Sequence, residues 1–242
     1  MSFYDPWQQL LNKVEKSGGF VNAHAHFDRA YTVNTQDIDS VVYDHLFEKW
    51  LYVDNYKKNA SIKDYCINMA IDSQKRMGTT SCLSFIDVDS ITGLKTIRAA
   101  NLSKEYATTQ GINFMVATQT LKGVTNPHER IYLQMALDSE IVDVVGSLPS
   151  VDKGLESNHL DIILELAKRY NKRVHVHVDQ LNSSHEKETE LLAKKTMQHG
   201  YEGMVTAVHS ISVAAHPKHY RDEVYKMSRD AGLSFIACPT AW

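Results

Sequence analysis

The hydrophobic positions of the chain fall into seven short runs that are rich in β-branched and aromatic residues. From the second run onward the runs recur at about 30 residues, which is the length of one strand-plus-helix unit. They predict strands at Phe20–His26, Thr79–Ile86, Ile112–Thr118, Ile141–Ser147, Arg173–Asp179, Met204–His209 and Leu233–Cys238. Strands that alternate with helices indicate an α/β fold with a parallel sheet.

The segments between these runs follow the helical period. Asn126 followed by Pro127 predicts an N-cap with proline at the first helical position, and Gly200 is expected just past a helix that ends at His199. One apolar stripe is predicted to pack on the sheet. Its members are Leu160, Ile163, Leu164 and Ala167.

Seven strands at this spacing fit either a doubly wound sheet or most of an eight-stranded TIM barrel. A doubly wound nucleotide-binding sheet carries a glycine-rich turn after its first strand, whereas Gly18 and Gly19 precede it here. We therefore expect residues 1–242 to form a single (β/α)8 TIM-barrel domain in which the eighth strand has no counterpart. Residues 28–60 are expected to be an insertion after the first strand, which forms part of a pocket, an oligomer contact or a satellite hydrophobic cluster.

Composition and charge exclude several classes of protein. The formal net charge is −3 and no Lys/Arg block stands out, which argues against a nucleic-acid surface. No apolar run is long enough to cross a membrane, and the N-terminus does not resemble a signal peptide. The three cysteines, Cys66, Cys82 and Cys238, are far apart and odd in number, which is typical of reduced thiols in the cytoplasm.

Two histidines stand at alternate positions of the first strand, in the sequence FVNAHAHFD. Strand alternation places four polar side chains on one face. These are Asn22, His24, His26 and Asp28. Two neutral imidazoles on one face can bind one metal ion, although packing of two half-buried histidines would produce the same pattern.

The fifth strand repeats this arrangement in KRVHVHVDQ, where His175, His177 and Asp179 share a face. The sixth strand ends in His209. In a parallel barrel the carboxyl ends of strands one, five and six lie on the catalytic face. The other histidines lie in predicted helices or loops and are expected to be solvated or to cap helices. They are His45, His128, His159, His185, His199, His216 and His219.

Six segments together resemble the amidohydrolase superfamily, in particular its bacterial cytosine deaminase-like hydrolases. They are FVNAHAHFDRAYT, GTTSCLSFIDVDS, DVVGSLP, RVHVHVDQ, VTAVHS and GLSFIACP. The resemblance implies a (β/α)8 barrel with one divalent metal ion, Zn or Fe. It implies His24, His26 and His177 as metal ligands and His209 as the residue that stabilises or deprotonates the metal-bound water. Gln119 corresponds to a position that contacts a substrate amide.

Two departures from the family pattern concern the mechanism. The family has Glu after the His-x-Asp of the fifth strand, where this chain has Gln180. Gln180 is assigned to the catalytic group and to substrate contact. An amide does not carry a proton back and forth, so Asp179 or Asp87 is assigned to proton transfer. Asp87 would equally suit a helix N-cap. The family's last ligand, an Asp on the eighth strand, has no counterpart in the sequence.

The resulting prediction is a metal-dependent hydrolase that cleaves a non-peptide C–N bond by attack of metal-bound hydroxide. The expected substrate is a small nitrogen-containing molecule, either an aminated heterocycle or a cyclic amide. The expected compartment is the cytoplasm, and the aromatic residues of the insertion would suit a homo-oligomer. Two alternatives stay open, namely a metal-dependent phosphoesterase and a catalytically incomplete barrel that is a fragment of a longer enzyme.

Overall fold

The computed structural model describes residues 5–32 and 60–238, and strands alternate with helices along both ranges. The strands are β1 Phe20–Ala25, β2 Thr79–Asp87, β3 Asn113–Gln119, β4 Val144–Ser147, β5 Arg173–Val178, β6 Val205–His209 and β7 Ser234–Ile236. The helices are α1 Pro6–Lys16, α2 Ala60–Arg76, α3 Lys95–Thr109, α4 Pro127–Asp138, α5 Glu156–Arg169, α6 Glu188–Gln198 and α7 Lys218–Asp230.

The seven strands are parallel neighbours in the order in which they occur in the chain, β1 to β7. This is the strand order of a TIM-type α/β fold, with seven strands in the described ranges where a full barrel has eight. All seven predicted strands are confirmed. Their ends differ from the prediction by up to three residues, because backbone pairing rather than hydrophobicity decides where a strand begins.

The chain divides into two compact units. The first unit comprises Met1–Ile86 and Lys95–Val116, as far as these residues are described. In it β1 pairs with β2, and the alignment shifts twice along β1, as at a β-bulge. Its core consists of fully buried side chains from α2, β2 and α3. They include Ile67, Ile71, Phe85, Ile86 and Ile97.

The second unit comprises Asp87–Leu94 and the described part of Ala117–Trp242. Strand β5 is central in it, because it pairs with β4 on one side and β6 on the other. The core side chains of this unit come from α4, α5 and the middle strands. The predicted stripe of α5 is confirmed, since Leu160, Ile163, Leu164 and Ala167 are all fully buried.

The predicted helix ends in the second unit are also confirmed. The side chain of Asn126 accepts a hydrogen bond from His128 N at 2.9 Å, and Pro127 is the first residue of α4. Helix α6 ends at Gln198, and Gly200 follows with φ of +57°, a conformation that favours glycine. Residues 33–59 of the predicted insertion lie outside the described residues.

None of the described helices is long and apolar enough to span a membrane.

Helix α3 offers a matched test of core packing in the first unit. Ile97 is fully buried, whereas Leu102 on the same helix is 57% exposed. Ile97→Ala is expected to lower the free energy of unfolding by about 2–5 kcal/mol, because it removes buried apolar surface and leaves a cavity. Leu102→Ala is expected to change it by less than about 0.5 kcal/mol. Equal effects of the two substitutions in denaturant unfolding would contradict this packing.

Candidate functional site

His24 and His26 lie side by side at the carboxyl end of β1. Their Nε2 atoms are 3.3 Å apart, and the ring planes are nearly perpendicular, at 84°. Both rings contact Phe85, which is fully buried in β2, with centroid distances of 4.8 Å for His24 and 5.4 Å for His26. The phenyl ring therefore holds two imidazoles with their Nε2 atoms facing each other.

The chain leaves the strand geometry directly after this pair. Strand β1 ends at Ala25, and Phe27–Arg29 form a single 3-10 turn in which the Phe27 amide donates to Ser84 Oγ at 2.8 Å. The prediction that Asp28 continues the face of the two histidines is therefore wrong. A tertiary hydrogen bond from β2 ends the alternation, and Asp28 is fully buried within the turn.

A second pair of histidines lies at the carboxyl ends of β5 and β6. The rings of His177 and His209 have their centroids 5.4 Å apart. His177 is 2% exposed, and its Nδ1 lies 3.2 Å from the carbonyl oxygen of Ser147 at the end of β4. A carbonyl only accepts, so Nδ1 carries the proton and the lone pair of the ring lies on Nε2.

Burial favours uncharged imidazole rings at His209 and at His175 of β5. Burial lowers the pKa of His209 to about 4. Burial, together with the positive charge of Arg173, lowers the pKa of His175 to about 4 as well. Both rings are neutral at pH 7, and the neutral ring is the form that binds metal ions.

Asp179 caps the helix that follows its own strand. Its two carboxylate oxygens accept hydrogen bonds from the backbone amides of Glu188, at 2.7 Å, and Thr189, at 3.1 Å. Both amides are at the N-terminus of α6, where a helix has unsatisfied donors. The proton-transfer role predicted for Asp179 stays a prediction, and any such role would have to operate alongside this cap.

Glu188 is a candidate functional residue that the sequence reasoning missed. Its carboxylate accepts from the Asp179 amide at 3.1 Å, so the two residues are bonded reciprocally. Burial raises the pKa of Glu188 to about 8, helped by the nearby charges of Asp179, Glu186 and Glu156 and opposed by that hydrogen bond. A carboxyl group with this pKa exchanges protons near neutral pH. The available signal was an acid at the start of the helix after HVHVD.

Gln119 and Gln180, the two predicted substrate-binding amides, are both buried at strand ends. Gln119 is the last residue of β3 and is 1% exposed, and Gln180 follows β5 and is 4% exposed. Within residues 5–32 and 60–238, the Oε1 atom of Gln119 has no hydrogen-bond partner. Buried amide oxygens are nearly always paired, so this atom is suited to receive a hydrogen bond from a ligand.

Asp87 is the last residue of β2 and is fully buried. The interpretation of Asp87 as a helix N-cap is wrong, because α3 begins only at Lys95. In the turn that precedes α3, Asp89 Oδ1 accepts from the amides of Ile91 and Thr92. The role of Asp87 in proton transfer stays a prediction.

The expectation that the remaining histidines are solvated or capping is wrong for His159, which is fully buried in α5. His216 is 7% exposed but caps the 3-10 turn Ile211–Ala215, and its Nε2 lies 2.7 Å from the carbonyl oxygen of Glu186. His159 belongs to the buried face of its helix, as its spacing of four from Ile163 could have indicated. His45 lies outside the described residues.

Comparison with known sequences defines the class of protein. Residues 17–240 match the Amidohydrolase family. A protein of Haemophilus influenzae, described as uncharacterized, is 40% identical over 240 residues, covering 96% of this chain and 85% of the relative. N-isopropylammelide isopropyl amidohydrolase of Pseudomonas sp. strain ADP is 27% identical over 237 residues, covering 92% of this chain and 56% of the relative.

Solved structures agree on the fold. The 5-methylcytosine deaminase of Klebsiella pneumoniae superposes with a TM-score of 0.83 at 22% identity, covering 92% of this chain and 54% of the deaminase. The N-isopropylammelide isopropylaminohydrolase of Burkholderia multivorans superposes with a TM-score of 0.77 at 19% identity, covering 92% and 56% of the two chains. The chain thus spans about half the length of these enzymes.

The chain belongs to the amidohydrolase family. Among the similar proteins with a named activity are an amidohydrolase, by sequence, and a 5-methylcytosine deaminase, by fold.

The raised pKa of Glu188 predicts a specific pH dependence of stability. Between its ordinary pKa of 4.5 and about 8, the folded protein keeps a proton that the unfolded chain has lost. Raising the pH through this window therefore favours unfolding, and the Glu188 contribution is constant above it. Glu188→Gln keeps a neutral side chain and should flatten this part of the profile.

Denaturant unfolding of the metal-free protein at pH 5, 6.5 and 8 measures this effect. Glu165→Gln, which removes an exposed carboxylate from α5, is the matched control for the loss of one charge. Parallel stability profiles for the parent and Glu188→Gln would contradict the assignment.

Proposed function

We propose that this chain is a metal-dependent hydrolase that cleaves a C–N bond in an aminated heterocycle or a cyclic amide. Two lines of support are the family and the activities of similar proteins, a 5-methylcytosine deaminase and an N-isopropylammelide amidohydrolase. The observation that carries the proposal is the pair of Nε2 atoms of His24 and His26, which face each other at 3.3 Å.

This spacing fits two ligands of one metal ion. Zinc–nitrogen bonds of about 2.0–2.1 Å in a tetrahedral site place two ligand nitrogens about 3.3–3.4 Å apart. A direct N–H···N hydrogen bond between two neutral rings is the alternative at this distance, and it would need one ring to donate. The donor set of neutral imidazoles suits Zn and Fe alike.

We assign His177 as the third ligand, through Nε2. Its Nδ1–H donates to the Ser147 carbonyl, which is the arrangement typical of metal-binding histidines. In a TIM-type fold the carboxyl ends of the parallel strands form one catalytic face. For this reason we assign the histidines of β1 and β5 to one ion. His209, whose ring neighbours His177, would orient the attacking water.

The ion would supply a lowered pKa of water, and with it a nucleophile near neutral pH. Substrate binding and protonation of the leaving group would depend on protein side chains. Gln119 and Gln180 would hold the substrate through their amide groups, since both are buried at strand ends. The leaving nitrogen needs a proton, for which Asp179, Asp87 and Glu188 are the candidates. Gln180 itself would contribute to catalysis only through hydrogen bonding.

We also propose that the enzyme works in the cytoplasm. The three cysteines lie far apart in the sequence, and Cys66 and Cys82 are each only 1% exposed. Reduced, buried thiols are typical of that compartment. The homo-oligomer expected from the insertion stays a prediction.

Metal binding is the first test. His24→Ala and His177→Ala are each expected to lose the metal during dialysis against a chelator that leaves the parent protein loaded, because each removes one of three ligands. His219→Ala, which alters an exposed histidine of α7, should retain the parent's metal content. Elemental analysis of the dialysed proteins provides the readout. Retention of metal by His177→Ala would refute the assignment of this ligand.

The reaction class is tested with the metal-loaded parent. Aminated pyrimidines, triazines and cyclic amides are expected to release ammonia or an amine, or to open their ring, in a reaction that a chelator abolishes. The same preparation should leave p-nitrophenyl phosphate intact. Phosphate-ester hydrolysis without any C–N cleavage would instead establish the phosphoesterase alternative.

A further inference from the structure

Three side chains next to β4, two of them fully buried, form a hydrogen-bonded chain. His159 of α5 lies between Asp152 and Ser147, with Nδ1 2.6 Å from Asp152 Oδ2 and Nε2 3.1 Å from Ser147 Oγ. Ser147 is the last residue of β4, and Asp152 stands in the connection between β4 and α5. Ser147 and His159 are both fully buried.

The carboxylate end of this chain is firmly held. Asp152 also accepts from the backbone amides of Val124 and Thr125 and from the Thr125 hydroxyl. Burial alone would raise the pKa of Asp152, but the hydrogen bonds from His159, Thr125 and Val124 hold it well below its usual range. An ionised carboxylate only accepts, so His159 Nδ1 donates to it, and Nε2 is left to hydrogen-bond the Ser147 hydroxyl.

The order Asp–His–Ser is that of a hydrolytic triad, yet burial excludes that function. A nucleophilic serine must meet a substrate and a water molecule, whereas Ser147 Oγ is enclosed by protein on all sides. The three side chains therefore have a structural role within the protein rather than a role in attacking a substrate.

The group that these side chains hold in place is the backbone of Ser147. Its carbonyl oxygen is the acceptor for His177 Nδ1, while its hydroxyl is held by His159. Ser147 is also in parallel register with Val176, the neighbour of His177. We infer that Asp152, His159 and Ser147 are positioning residues that fix the Ser147 carbonyl and thereby the tautomer and orientation of His177. This inference rests on the proposed function insofar as His177 binds the metal.

Two substitutions each remove the hydrogen bond between His159 and Ser147. His159→Asn retains an N–H near the position of Nδ1, facing Asp152, but is too short to reach Ser147. Ser147→Ala removes the hydroxyl and keeps the carbonyl. Both are expected to raise the dissociation constant for Zn²⁺ by about 10–100-fold, the usual cost of losing a hydrogen-bond partner that orients a ligand. His159→Gln, whose terminal amide can replace Nε2 as the hydrogen-bond partner of the Ser147 hydroxyl, should recover part of the affinity.

Tyr201→Phe is the matched control. The Tyr201 hydroxyl donates to the Lys172 carbonyl at 2.6 Å, next to the start of β5, and its loss removes one buried side-chain-to-backbone hydrogen bond at the opposite end of the same strand. It should lower stability without changing Zn²⁺ affinity. Zn²⁺ affinity is measured by competition with a chromogenic chelator, and the His177 tautomer by ¹⁵N NMR of metal-free protein labelled at histidine.

The outcomes distinguish this inference from the proposed function. Zn²⁺ binding by the parent with unchanged affinity in His159→Asn and Ser147→Ala would overturn the inference alone. Absence of Zn²⁺ binding by the parent would overturn the proposed metal site. The tautomer of His177 in the metal-free variants would then decide whether the inference holds. A His177 ring that stays protonated at Nδ1 in every variant overturns the inference. A mixed tautomer in His159→Asn and Ser147→Ala, but not in Tyr201→Phe, supports it.

Discussion

Parallel pairing of β5 with β4 and β6 is the constraint on which the second unit depends. Because β5 has a neighbour on each side, its backbone amides and carbonyls are committed to the sheet along its length. Val174, Val176 and Val178 are fully buried on one face, which leaves the other face to His175 and His177. The pairing carries His177 to the end of the strand beside the Ser147 carbonyl and the His209 ring.

The carboxyl ends of these strands are built from polar groups that are bonded to one another. Asp179, His209 and Ser210 have φ angles of 55°, 75° and 53°, in the left-handed region that non-glycine residues seldom adopt. The Asp179 carbonyl accepts from the amides of Ile211 and Ser212, which ties the end of β5 to the connection after β6. Backbone strain of this kind persists only where surrounding hydrogen bonds hold it, and it is concentrated at functional sites.

The replacement of the family's glutamate by Gln180 changes how protons can move in such a site. In the second unit the acids near this strand end are already engaged, since Asp179 caps α6 and Glu186 accepts from the Leu181 amide. Glu188 is engaged as well, since it accepts from the Asp179 amide, but burial raises its pKa to about 8. A carboxyl group whose pKa is raised into the neutral range can take up and release a proton, which the amide of Gln180 does not do.

The sequence by itself determined the strand-and-helix order, the buried stripe of α5, the N-cap at Asn126 and the two His-x-His pairs, because each depends on local periodicity or on a neighbouring residue. Tertiary structure decided the rest. Where β1 ends, the Phe27 amide bonds to Ser84 of β2. The N-terminus of α6 donates to both carboxylate oxygens of Asp179, and α5 places His159 between Asp152 and Ser147. Each of these outcomes joins residues from different elements, and the bonding partner of a polar side chain is set by the fold rather than by its own segment.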